Sequence, residues 1–123
     1  MERQENLKLE REVKLALIRV GLRCDFVGFN FLCEAVNLVI SNAELSHKLC
    51  RGVYSQIAQK FAVKTACVER SIRHAIDYTF LNKNFTELNK MFNMQLYTIH
   101  DKPTAGELIN LLAQYFTLGL HDE

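Results

Sequence analysis

The sequence predicts an all-α domain, and three observations carry that prediction. Apolar residues recur three and four positions apart in successive windows, the spacing that gathers them on one face of a helix. No stretch longer than about five residues alternates convincingly at period two, which is the pattern of a half-buried strand. Thr104 and Glu107, just after the only proline, Pro103, have the spacing of a helix-capping box.

From Asn6 to Val20, Leu9, Val13, Ala16, Leu17 and Val20 recur at helical spacing, and Gly21 supplies a stop. After the turn LRCDFVG, Phe29, Leu32, Val36, Val39 and Ile40 repeat the pattern up to Ser41 and Asn42. This second helix is the more apolar and should be the more buried. ELSHKLCR reads as a short helix halted or bent at Gly52, and VYSQIAQKF places Val53, Ile57, Ala58 and Phe61 on one face. AVKT then leaves only about four residues before the next helix, so the two must pack closely at a steep angle, the helix-turn-helix arrangement, although the turn contains no glycine. Downstream, NFTELNKMF forms a short helix and MQLYTIHDK an extended connection. TAGELINLLAQYF then lines Leu108, Leu111, Leu112 and Tyr115 along one face.

The helix from Ala66 to Phe80 is the most informative. At about 100° per residue, Val68, Ile72, Ala75, Ile76 and Thr79 fall within one arc that faces the core. Ala66, Arg70, Arg73, His74 and Asp77 fall on the opposite arc, with Cys67 and Glu69 at its margins. Thr65 is placed to cap the first turn. A helix that enters the major groove of double-stranded DNA needs an apolar face to fix it and long donors on the other. Arg70 can bond guanine O6 and N7 together, and Glu69 can accept from cytosine N4. Arg73 and His74 would lie nearer the phosphates, with Lys48, Arg51, Lys60 and Lys64 adding sequence-independent attraction.

Charge distribution agrees with that reading. The chain has 123 residues and a net charge of only +1. Residues 1–46 carry six Lys/Arg and seven Asp/Glu, residues 47–74 six and one, and residues 75–123 three and six. The middle segment is therefore +5, between segments of −1 and −3. The same residues are also what the solvated side of an ordinary amphipathic helix carries.

Other classes find little support. Cys67 and His74 differ in direction by about 20° but lie about two turns apart, roughly 10 Å, too far for a nucleophile and its base. Catalysis is not expected. Cys24, Cys33, Cys50 and Cys67 form no CxxC pair and lie in or beside apolar runs that look like core, so reduced thiols are expected. His47, His74, His100 and His121 add no ligand pair at short spacing, so neither a metal nor another cofactor is expected. No apolar run approaches the roughly 18 residues of a membrane span, and the start of the chain lacks the pattern of an export signal. A cytoplasmic protein without membrane attachment is the expectation. Without a linker or repeat, residues 1–123 read as a single domain.

IAQKF, VERSIRHAID and KPTAGELI, at this spacing, closely resemble the C-terminal effector domain of the stage-zero sporulation response regulator, a transcription-factor family of endospore-forming bacteria. GFNFLCEAV matches the family's G-aromatic-x-aromatic-L-x-E-A segment, and the similarity runs from the first helix through Tyr115. The resemblance implies a compact six-helix domain with an embedded helix-turn-helix that binds short DNA boxes, often as a tandem homodimer. It places Glu69 and Arg70 at base-reading positions and Arg73 and His74 at further DNA contacts; Lys64, Thr65 and Cys67 complete the expected site. It likewise implies that the segment 84–92, with Asn84, Glu87 and Lys90, faces a sigma subunit of RNA polymerase. Two departures stand out. Ala66 and Cys67 occupy positions where the family commonly has a hydroxyl residue followed by arginine, and the 123 residues do not include the phosphorylatable receiver domain that ordinarily precedes this module, so the expectation is either an excised effector domain or a standalone homologue. The competing expectation is a helical interaction module, an antagonist of a full-length relative, that has lost DNA binding.

Overall fold

The computed structural model describes residues 2–122, with side chains from Gln4 onward; Met1 and Glu123, the ends of the expected 1–123 domain, lie outside the described residues. Six α-helices follow one another: α1 (Glu2–Val20), α2 (Val27–Ser41), α3 (Ser55–Phe61), α4 (Thr65–Asn82), α5 (Glu87–Phe92) and α6 (Ala105–Thr117). No strand occurs among the described residues. None of the helices is long and apolar enough to cross a membrane.

α1 starts earlier than its apolar pattern, at Glu2 rather than Asn6, and buries Val13, Ala16, Leu17 and Val20. Gly21, at φ +119°, ends it: its N–H reaches the Ile18 carbonyl at 3.0 Å and that of Leu22 the Leu17 carbonyl at 3.0 Å. This double closure is the Schellman motif, which needs a left-handed residue at its hinge. α2 is the central helix and packs against α1, α4 and α6. Its buried residues, from Gly28 through Val39, cover most of its circumference, as its high apolar content predicts.

α2 meets α4 at Gly28. A Cβ at that position would lie 2.1 Å from the carbonyl oxygen of Ser71 and 3.0 Å from the Cβ of Ala75. Only a residue without a side chain lets the two backbones approach so closely.

The chain between α2 and α3 differs from its sequence reading. ELSHKLCR is not one helix halted at Gly52. A 3₁₀ turn (Ala43–His47) opens on Asn42, whose side-chain oxygen accepts from the Glu44 N–H at 3.2 Å, and a π-helical turn (Leu49–Tyr54) then runs through Gly52 directly into α3. Gly52 serves packing rather than termination, because a Cβ there would sit 2.8 Å from Leu45 Cδ2 and 3.0 Å from Lys48 Cβ.

The turn between α3 and α4 lacks glycine and uses Ala62 at φ 56° instead. Ala62 N–H bonds the Gln59 carbonyl at 3.4 Å and Val63 N–H the Ala58 carbonyl at 2.9 Å, again a Schellman closure. Asn93, at φ 53°, closes α5 in the same way. The connection after α5 is extended, as expected, and the Asn89 side chain holds it: its oxygen accepts from Leu96 N and Tyr97 N at 2.8 and 2.9 Å, and its amide donates to Tyr97 O at 2.6 Å. The capping box opens α6, with Glu107 N–H donating to Thr104 Oγ1 at 3.1 Å and Thr104 N–H to Glu107 Oε1 at 3.0 Å.

The core joins all six helices, and Phe85, Leu88, Leu108 and Leu112 are fully enclosed in it. Phe80 and Phe92 pack partly buried against it. Only Cys33 of the four cysteines is buried, and burial pushes its thiol up to about 12. Cys67 is partly covered, while Cys24 and Cys50 are exposed, contrary to their apolar sequence surroundings. Cys24 lies in the turn after α1 and Cys50 within the π turn, where neighbouring apolar residues point inward and these do not.

Two substitutions test these backbone devices. Gly28→Ala forces α2 off α4 and should lower stability by roughly 3 kcal/mol in urea unfolding. Ala62→Gly relieves a left-handed alanine and should raise it by about 1 kcal/mol.

Candidate nucleic-acid interface

The sequence assigns Val68, Ile72, Ala75, Ile76 and Thr79 to the core face of α4, and these are the residues the fold buries there. Thr79, the one polar member, donates Oγ1 to the Ala75 carbonyl at 2.9 Å and so enters the core with its hydroxyl satisfied. Ala66, Arg70, Arg73 and His74 stand exposed on the opposite side, with Cys67, Glu69 and Asp77 half-buried. The helix is longer than the predicted 66–80 span by one residue at its start and two at its end.

Thr65 does not cap α4. The N-cap is Lys64, with extended backbone (φ −80°, ψ 150°), and no side chain accepts from the first turn. Thr65 is the first helical residue. Cys67 and Val68 donate back to the Lys64 carbonyl at 2.9 and 3.3 Å, which leaves the N–H groups of Thr65 and Ala66 pointing out of the helix start. Lys64 itself is exposed, so a cation and outward N–H donors share one end of the helix.

The exposed arc has two flanks. On one, Arg73 Nη2 donates to Glu69 Oε1 at 2.8 Å, a one-turn pair at a half-exposed site. Beside this pair runs a groove of about 510 Å³, lined by Leu49, Tyr54, Asp77, Lys102 and Pro103 among others. Burial raises the Tyr54 hydroxyl to about 12, so Tyr54 adds no charge to a wall that Glu69, Arg73, Asp77 and Lys102 already charge.

On the other flank the His74 ring stacks on Phe26, with centroids 5.3 Å apart and planes 15° from parallel. Phe26 in turn meets Tyr78 edge to face at 4.9 Å. Arg23 ties the cluster together: its guanidinium grips both Asp25 oxygens at 2.9 and 2.7 Å, reaches Tyr78 Oη at 3.4 Å, and lies over both rings. Asp25 is held below the usual carboxylate range by those bonds from Arg23. Arg70 and Ser71 complete the cleft with Asp25–Gly28. Arg23, Phe26 and Tyr78 belong to this surface, yet no local pattern announces them, because the turn that carries two of them has no periodicity.

Among the described residues, Arg70, Lys64, Lys48 and Arg51 make no ion pair, whereas Lys60 bonds Glu34 at 2.6 Å. Arg70 therefore stands near the middle of the arc with its guanidinium uncommitted. No group of three or more His, Cys, Asp or Glu side chains comes together as a metal site among the described residues.

The second predicted patch is more occupied. Asn84 Oδ1 accepts from both the N–H and the hydroxyl of Thr86, at 3.0 and 2.7 Å. Glu87 receives Arg19 Nε at 2.8 Å, which pins α5 to α1, and Lys90 Nζ lies 3.8 Å from the same carboxylate. Lys90 is the most exposed of the three.

Against this geometry, the family model described as Sporulation initiation factor Spo0A C terminal matches residues 13–116, and the chain belongs to that family. It is a family of helical DNA-binding transcription-factor domains, not of enzymes.

The Arg19 bond holds Glu87 below its ordinary value. Removing the charge with Glu87→Gln should cost at most about 1 kcal/mol at neutral pH, as for other surface pairs. A lowered folded value means that this contribution is present above the unfolded carboxylate value and lost as pH falls through the folded one. Wild type and variant should therefore converge in acid thermal melts.

Proposed function

We propose that this member of the family is a sequence-specific DNA-binding transcription regulator that reads the major groove with α4. The observation that carries this reading is Arg70, exposed and unpaired on a helix whose opposite face is locked into the core. Arg70 donates to guanine O6 and N7, and Glu69 accepts from cytosine N4. Arg73 and His74, about a turn farther along the helix and on either flank of the arc, meet phosphates. Lys64 and the uncapped N–H groups of Thr65 and Ala66 hold the backbone at the helix start, where the dipole favours an anion. Cys67 sits at the margin of the face as a small neighbour, and contributes neither the charge nor the reach of an arginine.

On this reading the protein works in the cytoplasm, on double-stranded DNA, as a homodimer on tandem sites. Lys90, exposed on α5, is the residue of the second patch best placed to meet a polymerase sigma subunit; Asn84 and Glu87 order the ground beneath it.

Selection from a random duplex pool yields the preferred site, and fluorescence anisotropy at several salt concentrations tests the roles. Arg70→Ala should cost about 1–3 kcal/mol on the selected duplex and little on a scrambled one. Lys64→Ala should weaken both alike and lower the salt slope by about one. Equal losses for Arg70→Ala on the two duplexes would remove its base-reading role, and no salt-dependent binding by wild type would leave the interaction-module reading.

A further inference from the structure

α4 contributes no net charge of its own: between Thr65 and Asn82, Arg70 and Arg73 are balanced by Glu69 and Asp77. Glu69 and Asp77 lie one turn before and one turn after Arg73, on the same flank. The side chains of a helix with that balance add no net charge to draw in a phosphate backbone, so the long-range field must come largely from elsewhere in the fold.

One source lies far away in sequence. Lys102 reaches α4 from the connection ahead of α6, and its Nζ lies 2.8 Å from Asp77 Oδ1. Both side chains remain about half exposed, so the ammonium keeps donors facing solvent. The segment that carries it is rigid. Pro103 is buried and restricts the residue before it to extended backbone, and the Thr104–Glu107 box fixes the next turn. Lys102, Arg73, Glu69 and Asp77 all line the same groove beside the exposed arc.

We propose that Lys102 is part of the nucleic-acid face, neutralising Asp77 and presenting its remaining donors to a phosphate. The inference rests on the DNA-binding reading above. Lysine carries three donors and can hold the Asp77 carboxylate with one while offering others to the backbone. Asp77 thereby becomes the positioning partner of a cation instead of a repulsive charge beside the groove. With Asp77 occupied in this way, Arg73 is contested by one carboxylate rather than two. Residues 75–123 carry a net charge of −3, so a charge count along the chain gives no hint that this segment helps bind DNA.

Lys102→Gln and Lys102→Arg, compared with wild type by anisotropy on the selected and scrambled duplexes, test the assignment. Losing one phosphate contact lowers the magnitude of the salt slope by about 0.9, roughly a five-fold weaker affinity at 0.15 M salt. Lys102→Gln should show that loss equally on both duplexes, while Lys102→Arg keeps the slope. Unchanged slope and affinity in Lys102→Gln would overturn the assignment, as would a loss confined to the selected duplex. Either result leaves the DNA-binding reading standing, because wild type still binds; failure of wild type to bind any duplex would overturn both. Unchanged thermal melts separate the effect from unfolding.

Discussion

The approach of α2 to α4 at Gly28 is the constraint on which the rest of the structure depends. With the Ser71 carbonyl lying where a Cβ would otherwise be, the distance between the two helices is set by backbone against backbone. α2 is itself fixed by α1 and α6, so it acts as a platform that cannot yield. Ala75 belongs to the same contact, and a larger residue there would lift α4 as surely as one at Gly28. Once the height of α4 is set, its buried stripe fixes its rotation. The exposed arc follows without further adjustment, and positioning of that kind is what a base-reading side chain requires.

Two turns, one ahead of α4 and one ahead of α2, shape the surface around the arc. Ahead of α4, Ala62 turns the chain in a left-handed conformation, and Lys64 rather than a hydroxyl residue occupies the N-cap position. A side-chain cap would satisfy the first N–H groups internally, and its absence leaves them for an external acceptor. At the start of α2, the turn bearing Arg23, Asp25 and Phe26 folds back against Tyr78 and His74. The stack on Phe26 restrains the His74 ring, so the second flank of the arc is ordered by a segment about fifty residues earlier in the chain.

What was legible in the sequence is what depends on local periodicity. The buried stripe of α4, the Gly21 stop and the Thr104–Glu107 box were all readable, because each is written within a few consecutive residues. The π turn through Gly52 was not, since it follows from tight packing on Leu45 and Lys48 rather than from glycine's habit of ending helices. Thr65 looked like a cap by residue type, but the Schellman closure at Ala62 and Val63 sets the phase of the turn and shifts the cap to Lys64. The site was readable in composition and only partly in arrangement. Lys60 belongs to the basic cluster by sequence, yet Glu34, twenty-six residues earlier, answers it. Charge pairs across the fold have no signature along the chain.

The neutrality of α4 has a consequence for how a DNA-binding reading divides affinity from specificity. A carboxylate in a groove walled by phosphates is unfavourable unless it meets a donor, so on the proposed reading Glu69 would penalise sites that do not offer cytosine N4 at its position. Its bond to Arg73 does not block this role. A one-turn pair at an exposed site is worth about 0.3–0.5 kcal/mol, less than the roughly 1–3 kcal/mol of discrimination from a good bidentate base contact. The pair therefore holds both side chains extended along one flank and exchanges readily for nucleic-acid partners. On that reading, sequence-independent attraction would be supplied from the periphery, by Lys64 at the helix start, Lys48 and Arg51 in the turns before α3, and cations brought in by the fold. That division also bears on Cys67, which brings no charge to the start of α4. On the proposed reading, a residue without charge there would forgo attraction common to all sequences, while Glu69 and Arg70 would keep the chemistry that distinguishes one from another.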